Sequence, residues 1–343
     1  MPLTIRICLP ILFSCIALII YAQNDEKQVT ADQIIQRAID SLGGEKSFDL
    51  NNTSESISQI ITPQGDSLSF AEKRMNFDKY YISILSLSHE NTTKIFNNGK
   101  AVFISNQNAR QITDPLELEE LHLKSFICRE YGYKKLAYRF EREDDQKFRN
   151  FDCFVVLVTS PLGNSALNYY DKETGKPLMI IYPNLRKSIF TNFFKTKSIT
   201  SPSGILMVDT LDAITSSALN KLSIENNLDS NWFNIPITGI YKTPETFKTG
   251  EFKYLNSDDG AKIIRESTRQ TEISGNSKTE YKIEWTSDSD YLLYKLRNAF
   301  QPPTNENIEF IKVRITSWTG NKYYCQYITN SNIGGTCVFE KIK

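Results

Sequence analysis

Apolar residues recur at helical spacing in two short stretches of the chain, and alternate with polar ones almost everywhere else. Ile34, Ile35, Ala38, Ile39 and Leu42 form one stripe at intervals of three and four residues, the period of an amphipathic helix. Thr30 precedes the stripe with Gln33 three residues on, which is the pattern of a capping box. Gly43-Gly44 follows it, where the missing Cβ accepts a left-handed cap. A helix is therefore expected over residues 31–42. A second is expected from Asp114-Pro115 through Leu116, Leu118 and Leu121 toward Ile127, with Glu117, Glu119 and Glu120 near the dipole's positive end.

The remaining pattern is that of strands. Alternation predicts them at residues 56–61, 67–75, 79–87, 93–96, 101–104, 136–142, 152–159, 166–170, 177–182, 189–194 and 205–214. Turn-forming runs separate them, notably Pro63-Gln64-Gly65-Asp66, Asn97-Asn98-Gly99-Lys100 and Asp171-Lys172-Glu173-Thr174-Gly175-Lys176. An Asn-Gly pair between apolar runs is a strong hairpin signal. In residues 79–87, Tyr81, Leu85 and Leu87 fall on one side and Tyr80, Ile82 and Ile84 on the other. Apolar residues on both faces imply a sheet covered on both sides over part of its area. A connector is expected after residue 214, ending near Pro236.

Residues 237–246 lack periodicity and hold Pro, Gly and Thr, so they are read as a linker between two domains, 23–236 and 247–343. The second carries short strands at regular spacing, expected at 247–255, 261–267, 268–274, 279–286, 290–295, 308–317, 322–328 and 336–342. Such a series forms a small sandwich or barrel. The fold class is mainly β, α+β in detail.

The first 22 residues read as a signal peptide. Arg6 gives a positive start, residues 9–20 are mostly apolar, and Ile20-Tyr21-Ala22 offers a cleavage site. The run is shorter than the roughly 20 residues a spanning helix needs. Leu12-Phe13-Ser14-Cys15 resembles a lipobox, which makes a lipoprotein anchored at Cys15 the second reading. Phe13 is bulky for that motif, and the chain stays apolar to Tyr21. The expected location is periplasmic or secreted. Export exposes thiols to oxidation. Cys8 and Cys15 leave with the signal, while Cys128, Cys153, Cys325 and Cys337 remain and allow three pairings. Cys325 and Cys337 flank the turn-rich residues 329–335 and can face each other across a hairpin, which leaves Cys128 with Cys153. Four buried free thiols are the competing reading.

The chain of 343 residues has 40 basic and 40 acidic side chains. Without a basic surplus it is not expected to bind nucleic acid. Its two histidines, His89 and His122, leave little room for histidine catalysis or a metal site. It contains no phosphate-binding glycine loop, no GxSxG elbow, no HExxH and no CxxC. The acidic runs at 117–120 and 141–145 read as solvated surface. Neither an enzyme nor a cofactor is expected.

Three segments carry a resemblance. Ala31-Asp32-Gln33-Ile34-Ile35-Gln36-Arg37-Ala38-Ile39-Asp40-Ser41-Leu42-Gly43-Gly44, then Tyr169-Tyr170-Asp171-Lys172-Glu173-Thr174-Gly175, then Glu225-Asn226-Asn227-Leu228-Asp229-Ser230-Asn231-Trp232-Phe233-Asn234-Ile235-Pro236 fall in the order seen in outer-membrane lipoprotein-sorting (LolA/LolB-like) proteins, in the form common in Bacteroidetes. Residues about 28 to 236 resemble that family. From Phe247-Lys248-Thr249-Gly250-Glu251-Phe252-Lys253-Tyr254 onward, with Ile283-Glu284-Trp285-Thr286-Ser287-Asp288 and Ile311-Lys312-Val313-Arg314-Ile315-Thr316, the chain looks like a small β domain widespread in the same bacteria. Where that domain has a cysteine, this chain has Ser289.

The first resemblance implies a half-open antiparallel barrel with helices in its mouth, holding lipid or lipoprotein acyl chains in an apolar concavity, peripheral to the membrane. Tyr81, Leu85, Phe103, Phe154 and Val156 are the candidate lining, although core packing is the more usual role of such residues. Holding an acyl chain needs no reactive group, because each buried methylene contributes about 0.8 kcal/mol. The alternative is an envelope or surface interaction protein. Its barrel would be filled by its own side chains, and its C-terminal domain would meet a protein partner.

Overall fold

The computed structural model describes residues 29–63, 67–86, 91–105, 108–224, 228–236, 239–240, 243–255, 260–296, 310–330 and 333–343. The expected signal peptide, Cys15, Leu87 and the strand start at 308–309 lie outside these residues, as do most of the Pro63–Asp66 turn and residues 225–227 of the third resembling segment.

The chain is mainly β. Helix α1 (Ala31–Leu42) forms as its stripe requires: the Thr30 hydroxyl accepts from the Gln33 N–H, and the Gln33 side chain accepts from the Thr30 N–H. Ile34, Ile35, Ala38, Ile39 and Leu42 are all buried, each large side chain contributing about 1.5–3 kcal/mol. Gly43 ends the helix at φ 138°. A Cβ there would meet the Ser198 carbonyl at 2.5 Å, so glycine sets how closely α1 approaches the sheet. A short helix α2 (Glu45–Leu50) follows.

The strands are β1 (Thr53–Ile61), β2 (Ser67–Met75), β3 (Lys79–Ser86), β4 (Thr92–Asn97), β5 (Lys100–Ser105) and β6 (Asn108–Ile112), then, past the helices, β7 (Arg139–Phe148), β8 (Phe151–Thr159), β9 (Ser165–Asp171), β10 (Pro177–Ile181), β11 (Lys187–Thr196), β12 (Ile199–Val208) and β13 (Ile214–Ile224). With β14 (Gly239–Ile240) they make one fourteen-stranded antiparallel sheet, ordered β14-β6-β5-β4-β3-β2-β1-β13-β12-β11-β10-β9-β8-β7. Helices α3 (Pro115–Lys124) and α4 (Arg129–Lys135) connect β6 to β7. The main core lies between α1, α2, α4 and one face of the sheet: Ile35, Ile39, Phe48, Phe126, Tyr131, Phe154, Val156 and Tyr170 all belong to it.

Several elements depart from the sequence expectation. The stretch read as a connector contains β13, the strand that pairs with both β1 and β12 and makes the sheet continuous. Ser216, Ser217, Asn220 and Ser223 dilute its alternation, and only Ala218, Leu222 and Ile224 are buried. Strand β12 starts six residues earlier than expected and stops at Val208, because Asp209 caps the next turn with bonds from Leu211 N (2.9 Å) and Ala213 N (3.0 Å). The second helix ends at Lys124 rather than near 127, where the Ser125 hydroxyl ties itself to the carbonyls of His122 and Phe77. Residues 239–240, within the expected linker, pair with β6.

The remaining strands form a closed eight-stranded barrel: β15 (Gly250–Tyr254), β16 (Lys262–Arg265), β17 (Arg269–Ser274), β18 (Ser277–Trp285), β19 (Asp290–Lys295), β20 (Phe310–Thr319), β21 (Lys322–Thr329) and β22 (Gly334–Lys341). Its interior is packed with side chains, among them Phe252, Ile283, Tyr291, Ile315 and Tyr323. Arg265 donates to Gln270 Oε1 (2.8 Å), the Phe247 carbonyl (3.0 Å) and the Tyr291 and Tyr323 hydroxyls (both 2.9 Å), with the ring of Phe252 also against it.

Cys325 and Cys337 are bonded across β21 and β22. The expected Cys128–Cys153 pair is not formed; both thiols are free and buried. Cys128 caps α4 over the helix-covered face, with its thiol 3.6 Å from Glu130 Oε2. Cys153 packs with Val155, Tyr169 and Met179 on the other face of the sheet, so the sheet itself separates the two.

The barrel docks on the sheet through the face opposite the helices. Tyr81, Ile95, Val102 and Ile104 of the sheet share one buried cluster with Trp232 and Phe233 and with Tyr324 and Val338 of the barrel. Lys312 Nζ donates to the Ser86 carbonyl (2.6 Å), Gln326 Nε2 to the Ser69 carbonyl (3.2 Å), and the Tyr324 hydroxyl to Asp229 (2.5 Å).

Candidate functional site

The helix-covered face of the sheet is not completely filled. A cavity of about 410 Å³ lies between β1, β2, β3, β10, β11, β12 and β13 and the α3–α4 connection. Alternation explains which side chains reach it. Ser58 and Ile60 of β1 face Asn220 and Ala218 of β13, Phe70 and Glu72 of β2 point the same way, and Ile205 and Met207 of β12 continue the surface. Leu42, Leu123, Phe126 and Ile127 close it from the helical side. Apolar walls with a few polar groups are the usual make-up of a small-molecule site.

The charged residues in the lining are Glu72, Arg74, Lys124, Arg129 and Glu130, and two hydrogen-bonded sets stand among them. Arg74 Nη2 pairs with Glu72 at 2.9 Å, the Tyr80 hydroxyl donates to the same carboxylate, and Arg74 Nε donates to the Lys124 carbonyl at 2.9 Å. Burial acts against the Glu72 anion, yet Arg74 and Tyr80 together hold its pKa at about 2. This set ties β2 to the end of α3 and is closed on itself. The second set is Arg129 and Tyr182: Arg129 Nη1 donates to the Tyr182 oxygen at 3.3 Å, and Ser188 Oγ donates to that oxygen at 3.3 Å.

One rim of the sheet is unusual. Antiparallel order places the turns after β8, β10 and β12 along the same edge. Each carries an exposed leucine at its tip: Leu162 (52% exposed), Leu185 (61%) and Leu211 (86%). Ile61 and Ile214 stand exposed at the same edge, because Ile61 pairs with Ser217. Tyr182 opens the β10–β11 turn, so the Arg129–Tyr182 pair lies at this end of the cavity.

None of the five residues proposed from sequence as lining is among the residues that wall this cavity. Tyr81 and Leu85 are fully buried on the barrel-facing side of β3, with Tyr81 edge-on to Trp232 at 5.2 Å. Phe103 is on the helix side but packs under α3 with Leu118 and Leu121. Phe154 and Val156 are on that side too, covered by α1. The two apolar faces of β3 were legible; which one met the barrel was not. Glu72, Arg74, Arg129 and Tyr182 form no local motif because they are spread over the chain; the sequence signal is Glu72-Lys73-Arg74, which puts opposite charges on one face of a strand.

Among the described residues, no group of three or more His, Cys, Asp or Glu is placed to hold a metal ion, and no helix is long and apolar enough to cross a membrane. No family model matches the chain, and no curated protein does. Solved structures similar to it include a LolA superfamily protein of Nitrosomonas europaea, 13% identical, covering 60% of this chain and 98% of its own at a TM-score of 0.44. A DUF1329 family protein of Desulfovibrio piger is also 13% identical, with the same coverages and a TM-score of 0.36. The MucA/MucB complex of Pseudomonas aeruginosa contains a chain 9% identical, covering 90% of this chain and 92% of its own at a TM-score of 0.25.

Proposed function

We propose that the protein is a non-enzymatic carrier of acyl chains in a bacterial envelope, exported by its first 22 residues and working beside a membrane. The observation that supports this most is the cavity, apolar along Leu42, Ile60, Phe70, Ile205, Met207 and Leu222 and closed by helices rather than by a partner sheet. The leucine-tipped rim supports the membrane-side role, since exposed apolar side chains concentrated at one edge mark a contact site rather than ordinary surface. The C-terminal barrel, packed with side chains and fixed to the outer face of the sheet, is read as a brace for that sheet.

Native mass spectrometry of the mature protein tests the reading. A stoichiometric acyl-containing species, or uptake of added lysophospholipid, is expected. Met207→Asp, which puts a charge among the apolar walls, is expected to abolish uptake while circular dichroism stays unchanged. A protein that takes up no phospholipid, lysophospholipid or lipopeptide under any of these conditions would overturn it.

A further inference from the structure

Three cationic side chains line the cavity: Arg74, Lys124 and Arg129. Two are neutralised within the fold. Arg74 pairs with Glu72 at 2.9 Å, and Lys124 with Glu120 at 2.7 Å. Arg129 makes no ion pair among the described residues, and its one hydrogen-bond partner is the Tyr182 hydroxyl, whose pKa lies below the usual phenol value although burial raises it, because the Arg129 charge stands beside it. Its neighbour Glu130 is buried, its pKa raised chiefly by that burial, and its carboxyl meets the Cys128 thiol instead. Glu130 lines the same wall and attracts the Arg129 charge without forming an ion pair with it, so the cation is compensated only in part, and a partly desolvated cation favours an incoming anion. The geometry also prepares a second donor. The Tyr182 oxygen accepts from Arg129 and lies 3.3 Å from Ser188 Oγ, and its own O–H can turn toward an incoming oxygen.

Resting on the acyl-chain reading, we propose that the ligand is a single-chain amphiphile with an anionic oxygen head, carboxylate or phosphate. The head sits on Arg129 and Tyr182, and the chain runs along the sheet toward Leu42 and Ile199. The position of the pair fits this polarity. It stands at the leucine-tipped rim, so a ligand entering tail first leaves its head at the mouth. The volume fits one chain: about 410 Å³ is near the lower end of the roughly 300–1,000 Å³ of ligand pockets.

The test compares ligands that share one tail. Binding of laurate, lauryl phosphate, lauryl alcohol and lauryltrimethylammonium to the mature protein is measured by calorimetry at constant salt. The anions are expected to bind at least about tenfold more tightly than the alcohol, equivalent to about 1.4 kcal/mol, and the cation more weakly than the alcohol. Laurate against lauryl phosphate identifies which anion the site prefers. Arg129→Gln is expected to remove the preference for the anions over the alcohol, Arg129→Lys to keep most of it, and Tyr182→Phe to lose a smaller part. If the anions and the alcohol bind alike to the wild type, the headgroup inference falls while the acyl reading stands. If Arg129→Gln keeps the preference, the assignment to Arg129 falls. If no lauryl compound binds, the acyl reading itself fails. Should Arg129→Gln not fold, the wild-type comparison and Arg129→Lys still decide.

Discussion

The ammonium of Lys73 lies 4.2 Å from the centre of the Trp232 ring. Lys73 is 1% exposed and belongs to the sheet, yet it also pairs with Glu55 at 2.5 Å and donates to Thr336 of the barrel at 3.2 Å. Thr336 in turn donates to Glu55 at 2.6 Å. A buried ion pair is a poor source of net stability, but breaking one side of it is expensive. Lys73→Met is therefore expected to cost about 3–5 kcal/mol, and the double variant Lys73→Met/Glu55→Gln distinctly less. Urea unfolding followed by tryptophan fluorescence measures both.

Glu72 links stability to acid. Its ordinary pKa of 4.5 falls to about 2 in the fold. A depressed carboxylate contributes stability that is complete above the unfolded pKa and is lost as pH falls through the folded one. The contribution, at most about 3 kcal/mol, is thus expected to decline from pH 4.5 toward 2 and to be flat above neutrality. Glu72→Gln is expected to be less stable at pH 7 and to show a shallower decline in acid. Unfolding midpoints measured from pH 7 to pH 3 compare the two slopes; parallel curves would refute the assignment.

The rim predicts a surface phenotype. Leu162, Leu185 and Leu211 are exposed, so replacing all three with serine is expected to change stability by less than about 0.5 kcal/mol each. The same triple variant is expected to lose most of its co-sedimentation with phospholipid vesicles. Unchanged sedimentation would separate the cavity from any membrane-edge role.

The cysteines predict a labelling pattern. Cys128 and Cys153 are buried and free, so the native protein lacking residues 1–22 is expected to react with a thiol reagent slowly, and the unfolded form at two positions. The Cys325–Cys337 bond closes a span of 12 residues. Replacing both with serine is expected to cost about 3 kcal/mol, read from thermal or urea midpoints.

Much of the fold was legible because local signals agreed with it. The Thr30–Gln33 cap, the Ile34–Leu42 stripe and the Asn98-Gly99 turn each specify their own geometry, and the structure keeps all three. The closed barrel was legible as a series of short strands. Strand β13 was hidden because its neighbours, not its own side chains, make it a strand: it is held by pairing on both edges. The cavity was hidden for a related reason. Tyr81 and Ile82 both suit a buried face, and only the docking of Tyr324 and Val338 against the Tyr81 side decides that Ile82 faces the cavity. No periodicity in β3 encodes a contact with a strand more than two hundred residues away.

That docking divides the sheet mechanically. The barrel grips β1, β2 and β3 from outside, and those strands form one wall of the cavity, while β10, β11 and β12 form the other. A splinted wall is expected to resist bending, like the fixed jaw of a vice. Widening of the mouth is then expected at the β10–β11 and β12–β13 hairpins, the same ones that carry Tyr182, Leu185 and Leu211.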